Sequence, residues 1–208
     1  ISQNVQKQYE ESPYPRWISI ERFVPQNFLI HLNNNIHPNK IAYNNKFDNP
    51  NVLIAGCGTG RHPIANSMYK NAKILAVDLS LASLAYAKRK SDELGVKNIE
   101  YLHADILQLK DLKRKFDVIE SSGVIHHMDD PIAGLRVLHD ILEPHGFLKL
   151  GLYSETARKG IVKGREFIKS KKFKDTNEDI KICMQLFIKE QKTLSLKNSI
   201  QSSDFYSL

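Results

Sequence analysis

From Asn51 onward, short apolar segments alternate with amphipathic segments, and this alternation constrains the fold more than any other feature of the sequence. The segments with the composition of β-strands are residues 51–55, 73–77, 99–103, 116–121 and 146–153. Helical patterns lie between them: one begins after Ser80 as N-cap and stops at Gly95, and another covers about residues 131–142 with Asp130 as its cap. This order predicts parallel βαβ units, and therefore an α/β fold with a doubly wound, mainly parallel sheet.

The two ends of the chain differ from this middle part. Residues 1–50 are rich in Asn, Pro and aromatic residues, which predicts an irregular arm with one helix near residues 24–32. Residues 156–171 and 178–192 have the pattern of basic, moderately amphipathic helices. The expected segments are an arm or lid over residues 1–50, a sheet domain over residues 51–153 and a basic helical segment over residues 154–208.

Composition restricts the class of protein further. The chain has 208 residues, 41% of them hydrophobic, which is enough for one sizeable core. Its uncharged runs are too short to cross a bilayer, and no secretory signal is visible. Two cysteines are too few for a disulfide framework or a cysteine-rich zinc site, so we expect a cytoplasmic protein without a metal centre. The net charge of +7 permits contact with nucleic acid, but a solvated helical face explains it as well.

A glycine-rich turn follows the first predicted strand, with the sequence Gly56-Cys57-Gly58-Thr59-Gly60. Glycines in this place allow a tight turn and the close approach of a ligand. A dinucleotide fingerprint would need a third glycine at the position of Arg61, and a Walker-type phosphate loop would need Gly-Lys-Ser/Thr, so both are excluded. A plain surface loop remains the alternative for this turn taken alone.

Two aspartates follow the next two predicted strands. Asp78 stands about 20 residues beyond the glycines, where a carboxylate can accept hydrogen bonds from both hydroxyls of a ribose. Asp105 can accept from an exocyclic adenine amine, while Leu79 and Ile106 can sandwich the ring. Helix capping by Asp78 and a turn formed by Asp105 are the competing interpretations. Because the carboxyl ends of parallel strands share one edge of a sheet, we expect these groups to lie together.

Six motifs occur in order along the predicted sheet domain: VLIAGCGTG at 52–60, AVDLS at 76–80, ADI at 104–106, FDVI at 116–119, SSGVIHH at 121–127 and LEPHGFL at 142–148. Together they resemble class I S-adenosylmethionine-dependent methyltransferases over about residues 51–153. The resemblance implies a Rossmann-like fold and S-adenosylmethionine as the cofactor. It also implies that the glycine turn passes under the methionine part, that Asp78 holds the ribose, and that Asp105 with the Ile106 backbone binds adenine.

The arm adds a finer resemblance. Tyr14-Pro15-Arg16-Trp17, together with Gly60-Arg61-His62, is similar to the methyltransferase domains that follow tetratricopeptide repeats in some bacterial proteins, although this chain contains no such repeats. The residues that we expect to contact the cofactor are Tyr14, Arg16, Trp17, Gly56, Cys57, Gly58, Gly60, His62, Asp78, Leu79, Asp105, Ile106, Ser121 and Gly123.

The sequence departs from the family in two places. The family often has an acid two residues before the first glycine, where it helps to anchor the methionine ammonium, and this chain has Ile54 there. Arg16 can pair with the methionine carboxylate instead, and the aromatic residues of the arm can exclude water, although the arm can equally be a patch that seals the sheet edge. Two strands that normally end the family's sheet are not predicted after Tyr153. We therefore expect the chain to be a fragment or trimmed domain whose last segment precedes the missing strands.

Catalytic residues are harder to identify, because methyl transfer mainly requires that the reactants are positioned. His126 and His127 follow the fourth strand and either can act as a general base, or simply begin a helix. The stretch Glu120-Ser121-Ser122-Gly123 lacks the Asn/Asp-Pro-Pro-aromatic motif of enzymes that methylate base amines. A small molecule or a protein side chain is the expected acceptor. A non-catalytic cofactor-binding module and an RNA methyltransferase remain as alternatives.

Overall fold

The computed structural model describes residues 3–21, 24–154, 159–174 and 176–190. It divides into two compact units, Ile1–Leu152 and Tyr153–Leu208. Within the described residues, no helix combines the length and the apolar composition needed to span a membrane.

A five-stranded sheet forms the centre of the first unit. Its strands are β1 (Asn51–Ala55), β2 (Lys73–Asp78), β3 (Ile99–His103), β4 (Phe116–Ser122) and β5 (Leu142–Gly151). Their order is β3-β2-β1-β4-β5, and every neighbouring pair is parallel. The predicted doubly wound α/β fold is therefore confirmed. β5 begins earlier than predicted, because Leu142 already pairs with Phe116 before a bulge shifts the register.

The N-terminal part contains more regular structure than the sequence predicts. Helix α1 covers Gln3–Glu11, where we expected irregular chain, and helix α2 covers Phe28–Asn35, which is shifted from the predicted residues 24–32. Asn27 caps α2 by accepting a hydrogen bond from the Leu29 N–H. The cap explains why the helix begins later than its apolar pattern suggests.

Three further helices connect the strands: α3 (Arg61–Asn66), α4 (Leu81–Glu93) and α5 (Pro131–Asp140). The two predicted caps are confirmed. Ser80 accepts from the Ser83 N–H at the start of α4, and Asp130 accepts from two backbone N–H groups at the start of α5. Proline at the first position of α5 costs no hydrogen bond, because the first N–H groups of a helix have no partner within it.

Side chains alternate between the two faces of β1, and both faces are covered. Val52 and Ile54 belong to a core with Phe28 and Tyr69 on one face. Leu53 lies in a second core, on the other face. Strands that are buried on both sides have continuous apolar sequences, which is why β1 and β2 were easy to identify from sequence.

The second unit contains α6 (Lys159–Ser170) and α7 (Asn177–Glu190). The Phe167 and Phe187 rings pack with their centroids 5.5 Å apart. The two predicted basic helices are thus present, although residues 156–158 and 191–192 of the predicted ranges lie outside the described residues.

Candidate functional site

The glycine turn links β1 to α3 at the carboxyl edge of the sheet. The backbone N–H groups of Gly56 and Cys57 both donate to the Val77 carbonyl, 2.8 and 2.9 Å away, which ties the turn to the end of β2. Gly56, Gly58 and Gly60 have φ angles of +78°, +52° and +86°, a region that favours glycine. The turn therefore needs glycine for its backbone conformation, as the sequence predicts.

Protein atoms also lie close to these glycines. A Cβ added at Gly56 would be 2.3 Å from a methyl carbon of Val124, and one at Gly58 would be 2.3 Å from the Tyr14 carbonyl oxygen. The sequence argument attributed the missing side chains to a ligand that approaches closely. In the structure, the arm and the segment after β4 occupy this space, so packing imposes glycine as well.

Asp78 connects the turn to the next helix. One carboxylate oxygen accepts from the Gly58 N–H at 2.7 Å and the other from the Ser80 N–H at 3.0 Å. Burial raises the pKa of Asp78, and the backbone hydrogen bonds of Ser80 and Gly58 oppose this rise. Each oxygen of a carboxylate can accept more than one hydrogen bond, so Asp78 retains the capacity to bind hydroxyl groups. The position of Asp78 is therefore compatible both with binding of a ribose and with capping of the residues that lead into α4.

Asp105 and Ile106 follow β3 at the same edge. Asp105 is buried and accepts from the Leu107 N–H at 2.9 Å, which caps a 3-10 helix, Ile106–Leu112. The side chain of Ile106 is part of the second core. Leu79 is half-buried, and its carbonyl accepts from Gln6 Nε2 and contacts His103 Nε2 at 2.9 Å. The structure therefore brings the two aspartates to one edge, where each also caps or braces a turn.

The Tyr14–Trp17 arm packs directly on the glycine turn. The Thr59 N–H donates to the Tyr14 carbonyl, and the Thr59 hydroxyl donates to the Pro15 carbonyl. Trp17 Nε1 in turn donates to the Thr59 carbonyl and hydroxyl oxygens, 3.2 and 3.1 Å away. Trp17 is only 8% exposed, whereas Arg16 is exposed. Sequence alone placed the arm near the site only by resemblance, and the structure shows which atoms hold it there.

Helix α1 supplies a contact that sequence reasoning missed. The Glu10 carboxylate accepts from the Leu81 and Ala82 N–H groups at the start of α4, at 2.8 and 3.0 Å. The hydrogen bond from Ala82, together with those from Leu81 and Ser80, lowers the pKa of Glu10 despite some desolvation. Glu10 and α4 are about 70 residues apart in sequence, so no local pattern predicts this cap.

A buried carboxylate lies below the turn, on β4. Glu120 is 1% exposed, and its oxygens contact His62 Nε2 at 2.8 Å, Lys149 Nζ at 3.0 Å and the Tyr69 hydroxyl at 3.3 Å. Burial raises the pKa of Glu120, but the hydrogen bond and charge of His62, together with Lys149, outweigh it and lower the pKa to about 2. In the sequence, Glu120 stands between two of the motifs and belongs to neither. The only signal for a carboxylate in this region was therefore the absence of the family's usual acid at position 54, where this chain has Ile54.

The lowered pKa predicts how acid affects stability. The pKa of Glu120 falls from an ordinary 4.5 to about 2, so its charge stabilises the fold above about pH 4.5. This contribution is lost as the pH falls toward 2. We expect Glu120 to account for roughly 1 kcal/mol of the stability lost between about pH 7 and about pH 3.5.

Urea unfolding of the wild type and of Glu120→Gln at both pH values measures this contribution, because the other acids titrate alike in both proteins. Equal losses of unfolding free energy in the two proteins would contradict it.

The remaining predicted residues follow β4. The Ser121 hydroxyl donates to the Ala55 carbonyl at 3.0 Å, which joins β4 to β1 at the carboxyl edge. Gly123 has a φ of +75°, and a Cβ there would meet no atom within 4 Å. His126 is half-buried and His127 is exposed, in the 3-10 helix Ile125–His127, with their ring centroids 4.2 Å apart. The histidines lie close to Val124, whose side chain packs on Gly56.

The part of the chain that contains the sheet is similar in sequence to known proteins. A protein family described as a methyltransferase domain matches residues 52–146. An uncharacterised protein of Synechococcus is 35% identical over 121 residues, covering 57% of this chain and 29% of that protein. The ubiquinone biosynthesis O-methyltransferase of Ruegeria pomeroyi is 31% identical over 97 residues, covering 46% of this chain and 38% of the enzyme. The chain thus spans well under half the length of these relatives.

Among solved structures, PKMT2 from Rickettsia typhi superimposes with a TM-score of 0.61 at 21% identity, covering 76% of this chain and 33% of that protein. At this identity the likeness concerns the fold alone. Residues 52–146 therefore match a family of methyltransferase domains, and the unit that contains them has a fold like that of PKMT2.

Proposed function

We propose that this chain binds S-adenosylmethionine and transfers its methyl group to a small molecule or to a protein side chain. The observation that carries the proposal is the hydrogen bond between the Gly58 N–H and Asp78, because it fixes a glycine turn and a partly buried carboxylate side by side at the carboxyl ends of β1 and β2. Ligands of open parallel sheets bind at this edge. Sequence similarity to a family of methyltransferase domains and to an O-methyltransferase supports the same function.

The residues at this edge suit the cofactor. Asp78 would accept from the ribose hydroxyls, and Asp105 with the Ile106 N–H would bind adenine. The turn from Gly56 to Gly60 would accommodate the aminoacyl part, and the space beside Gly123 leaves room near it. When bound, S-adenosylmethionine supplies an electrophilic methyl group.

The other predicted contacts complete the site. Leu79 would provide an apolar surface for the base, and exposed Arg16 can pair with a carboxylate. Tyr14 and Trp17 would exclude water. Cys57, His62 and Ser121 would act mainly by shaping the turn and the strand ends around the cofactor, since each lies within or against them.

The acceptor would lie beyond β4, and either His126 or His127 would act as the general base, since histidine ordinarily titrates near neutral pH. The Ruegeria pomeroyi relative is named for an O-methyltransferase of ubiquinone biosynthesis, which favours an acceptor other than nucleic acid. We assign the arm over residues 1–50 the role of a lid, residues 51–153 that of the cofactor domain and residues 154–208 that of a helical insertion before further strands.

The finer resemblance, to methyltransferase domains that follow tetratricopeptide repeats, gains support from the arm. Its two motifs are Tyr14–Trp17 and Gly60–His62, and Thr59 joins the first motif to the turn that leads into the second. A complete reading frame that encodes such repeats would support this assignment, and one without repeats would contradict it.

Calorimetric titration with S-adenosylmethionine and S-adenosylhomocysteine tests the proposal. We expect micromolar binding of both, because the groups that would bind them are already held in place in the free chain. A folded chain that binds neither ligand, and a full-length protein that also binds neither, would overturn it. Binding without turnover across small-molecule and protein acceptors would instead favour a non-catalytic module, and RNA affinity that falls steeply with salt would favour an RNA acceptor.

A further inference from the structure

Glu120 is a charged residue inside the apolar part of the sheet. It pairs in register with Ile54 on the neighbouring strand β1, so both side chains point to the same face. Ile54 is completely buried and Glu120 is 1% exposed. A buried carboxylate is costly unless it is paired, so the partners of Glu120 determine what it does.

Those partners come from different elements. His62 belongs to α3, Lys149 to β5, and Tyr69 to the segment after α3. The contact with His62 is the shortest at 2.8 Å, and His62 is the second residue of the helix that begins directly after Gly60. The carboxylate on β4 thus holds the start of α3, and with it the end of the glycine turn.

The neighbouring position explains why one acid suffices. Side chains in register on adjacent strands lie about 5 Å apart. A second carboxylate at position 54 would face Glu120 at this distance within the core, and the repulsion would drive one of them to take up a proton. Because Ile54 is uncharged, Glu120 has no carboxylate beside it on β1. Of the two paired positions, 54 and 120, only the one on β4 carries a negative charge.

We propose that Glu120 is a positioning residue that acts through His62 to hold the glycine turn in the shape that binds the aminoacyl part of S-adenosylmethionine. This inference rests on the proposed function. Glu120 itself is buried and touches the turn only through α3, so its effect on the ligand would be indirect. Losing it would leave His62 without its anionic partner.

The test is calorimetric titration with S-adenosylhomocysteine of the wild type, Glu120→Gln, His62→Ala and the double variant. We expect each single substitution to weaken binding about tenfold, since a hydrogen bond to a charged group such as the Glu120 carboxylate contributes about that factor. We expect the double variant to be no weaker than the single variants, because both substitutions break the same connection.

Asp117→Asn is the matched control. Asp117 is a buried acid on the same strand, 6% exposed, and it lies 3.3 Å from Lys46 Nζ at the other end of β4. We expect this substitution to lower the unfolding temperature without changing the affinity. Histidine ring signals in NMR spectra of the free proteins give a readout independent of ligand: the His62 signal should shift in Glu120→Gln and stay in place in Asp117→Asn.

The outcomes separate the two proposals. A wild type that does not bind would refute the proposed function. A wild type that binds, with unchanged affinity in a folded Glu120→Gln variant, would refute only the role of Glu120. Additive losses in the double variant would refute the route through His62. If Glu120→Gln does not fold, unchanged affinity in a folded His62→Ala variant would refute the route through His62, because that variant leaves Glu120 paired with Lys149 and Tyr69.

Discussion

The Gly60→Ala substitution is expected to lower the free energy of unfolding by roughly 2–5 kcal/mol. Gly60 has a φ of +86°, which costs any residue with a Cβ about 1–2 kcal/mol. The added Cβ would also lie 2.5 Å from the Ala87 Cβ and 2.9 Å from its Cα. Ala87 is fully buried in α4 and has no flexible side chain to move aside, so the helix itself must shift, at a further cost of about 1–3 kcal/mol.

Gly95→Ala provides the control for this prediction. Gly95 also has a positive φ, of +70°, but a Cβ there would meet no atom within 4 Å. The Gly95→Ala variant should therefore lose only the free energy that the positive φ costs a residue with a Cβ, about 1–2 kcal/mol. Urea unfolding of both variants measures the difference, and equal losses would show that the close packing of Gly60 against Ala87 carries no stability.

The Asp78→Ala substitution is expected to weaken binding of S-adenosylhomocysteine by roughly 1–3 kcal/mol, about fivefold to 150-fold in Kd. Two effects add. The ribose hydroxyls would lose their acceptor, and the Gly58 and Ser80 N–H groups would lose theirs, which loosens the turn. Calorimetric titration at constant temperature measures the change.

Asp130→Ala separates these effects from simple loss of a helix cap. The Asp130 carboxylate also accepts from two backbone N–H groups, those of Ile132 and Ala133, but it is exposed and lies outside the predicted cofactor contacts. We expect it to reduce stability and to leave affinity unchanged. An Asp78→Ala variant that binds as tightly as the Asp130→Ala variant would contradict the assignment of Asp78.

The elements that sequence predicted best are those whose pattern is local. β1 and β2 each contain four consecutive buried apolar residues, so their apolar runs were visible in the sequence. The caps Ser80 and Asp130 act on residues two or three positions away. Helix α1 was missed for the opposite reason. Its composition is polar, and the contact from Glu10 that joins it to α4 crosses about 70 residues.

In the candidate site too, the residues with a local sequence pattern were predicted and those that depend on long-range contacts were not. The glycine turn, Asp78 and Asp105 follow predictable strands, so their meeting at one edge could be inferred from the topology. The role of Glu120 could not be inferred, because a single glutamate within a predicted strand gives no indication of its partners. Only the three-dimensional register beside Ile54 and the contact with His62 reveal what it does.

The arm and the glycine turn also constrain how this sequence can change over evolutionary time. Because the Tyr14 carbonyl occupies the space of a side chain at position 58, and Thr59 bonds to both Tyr14 and Pro15, the two segments fit only each other. We expect substitutions in one to be accompanied by substitutions in the other among descendants of a common ancestor. A recombinant that joined this sheet to the arm of a distant homologue would inherit two surfaces that had never been selected together.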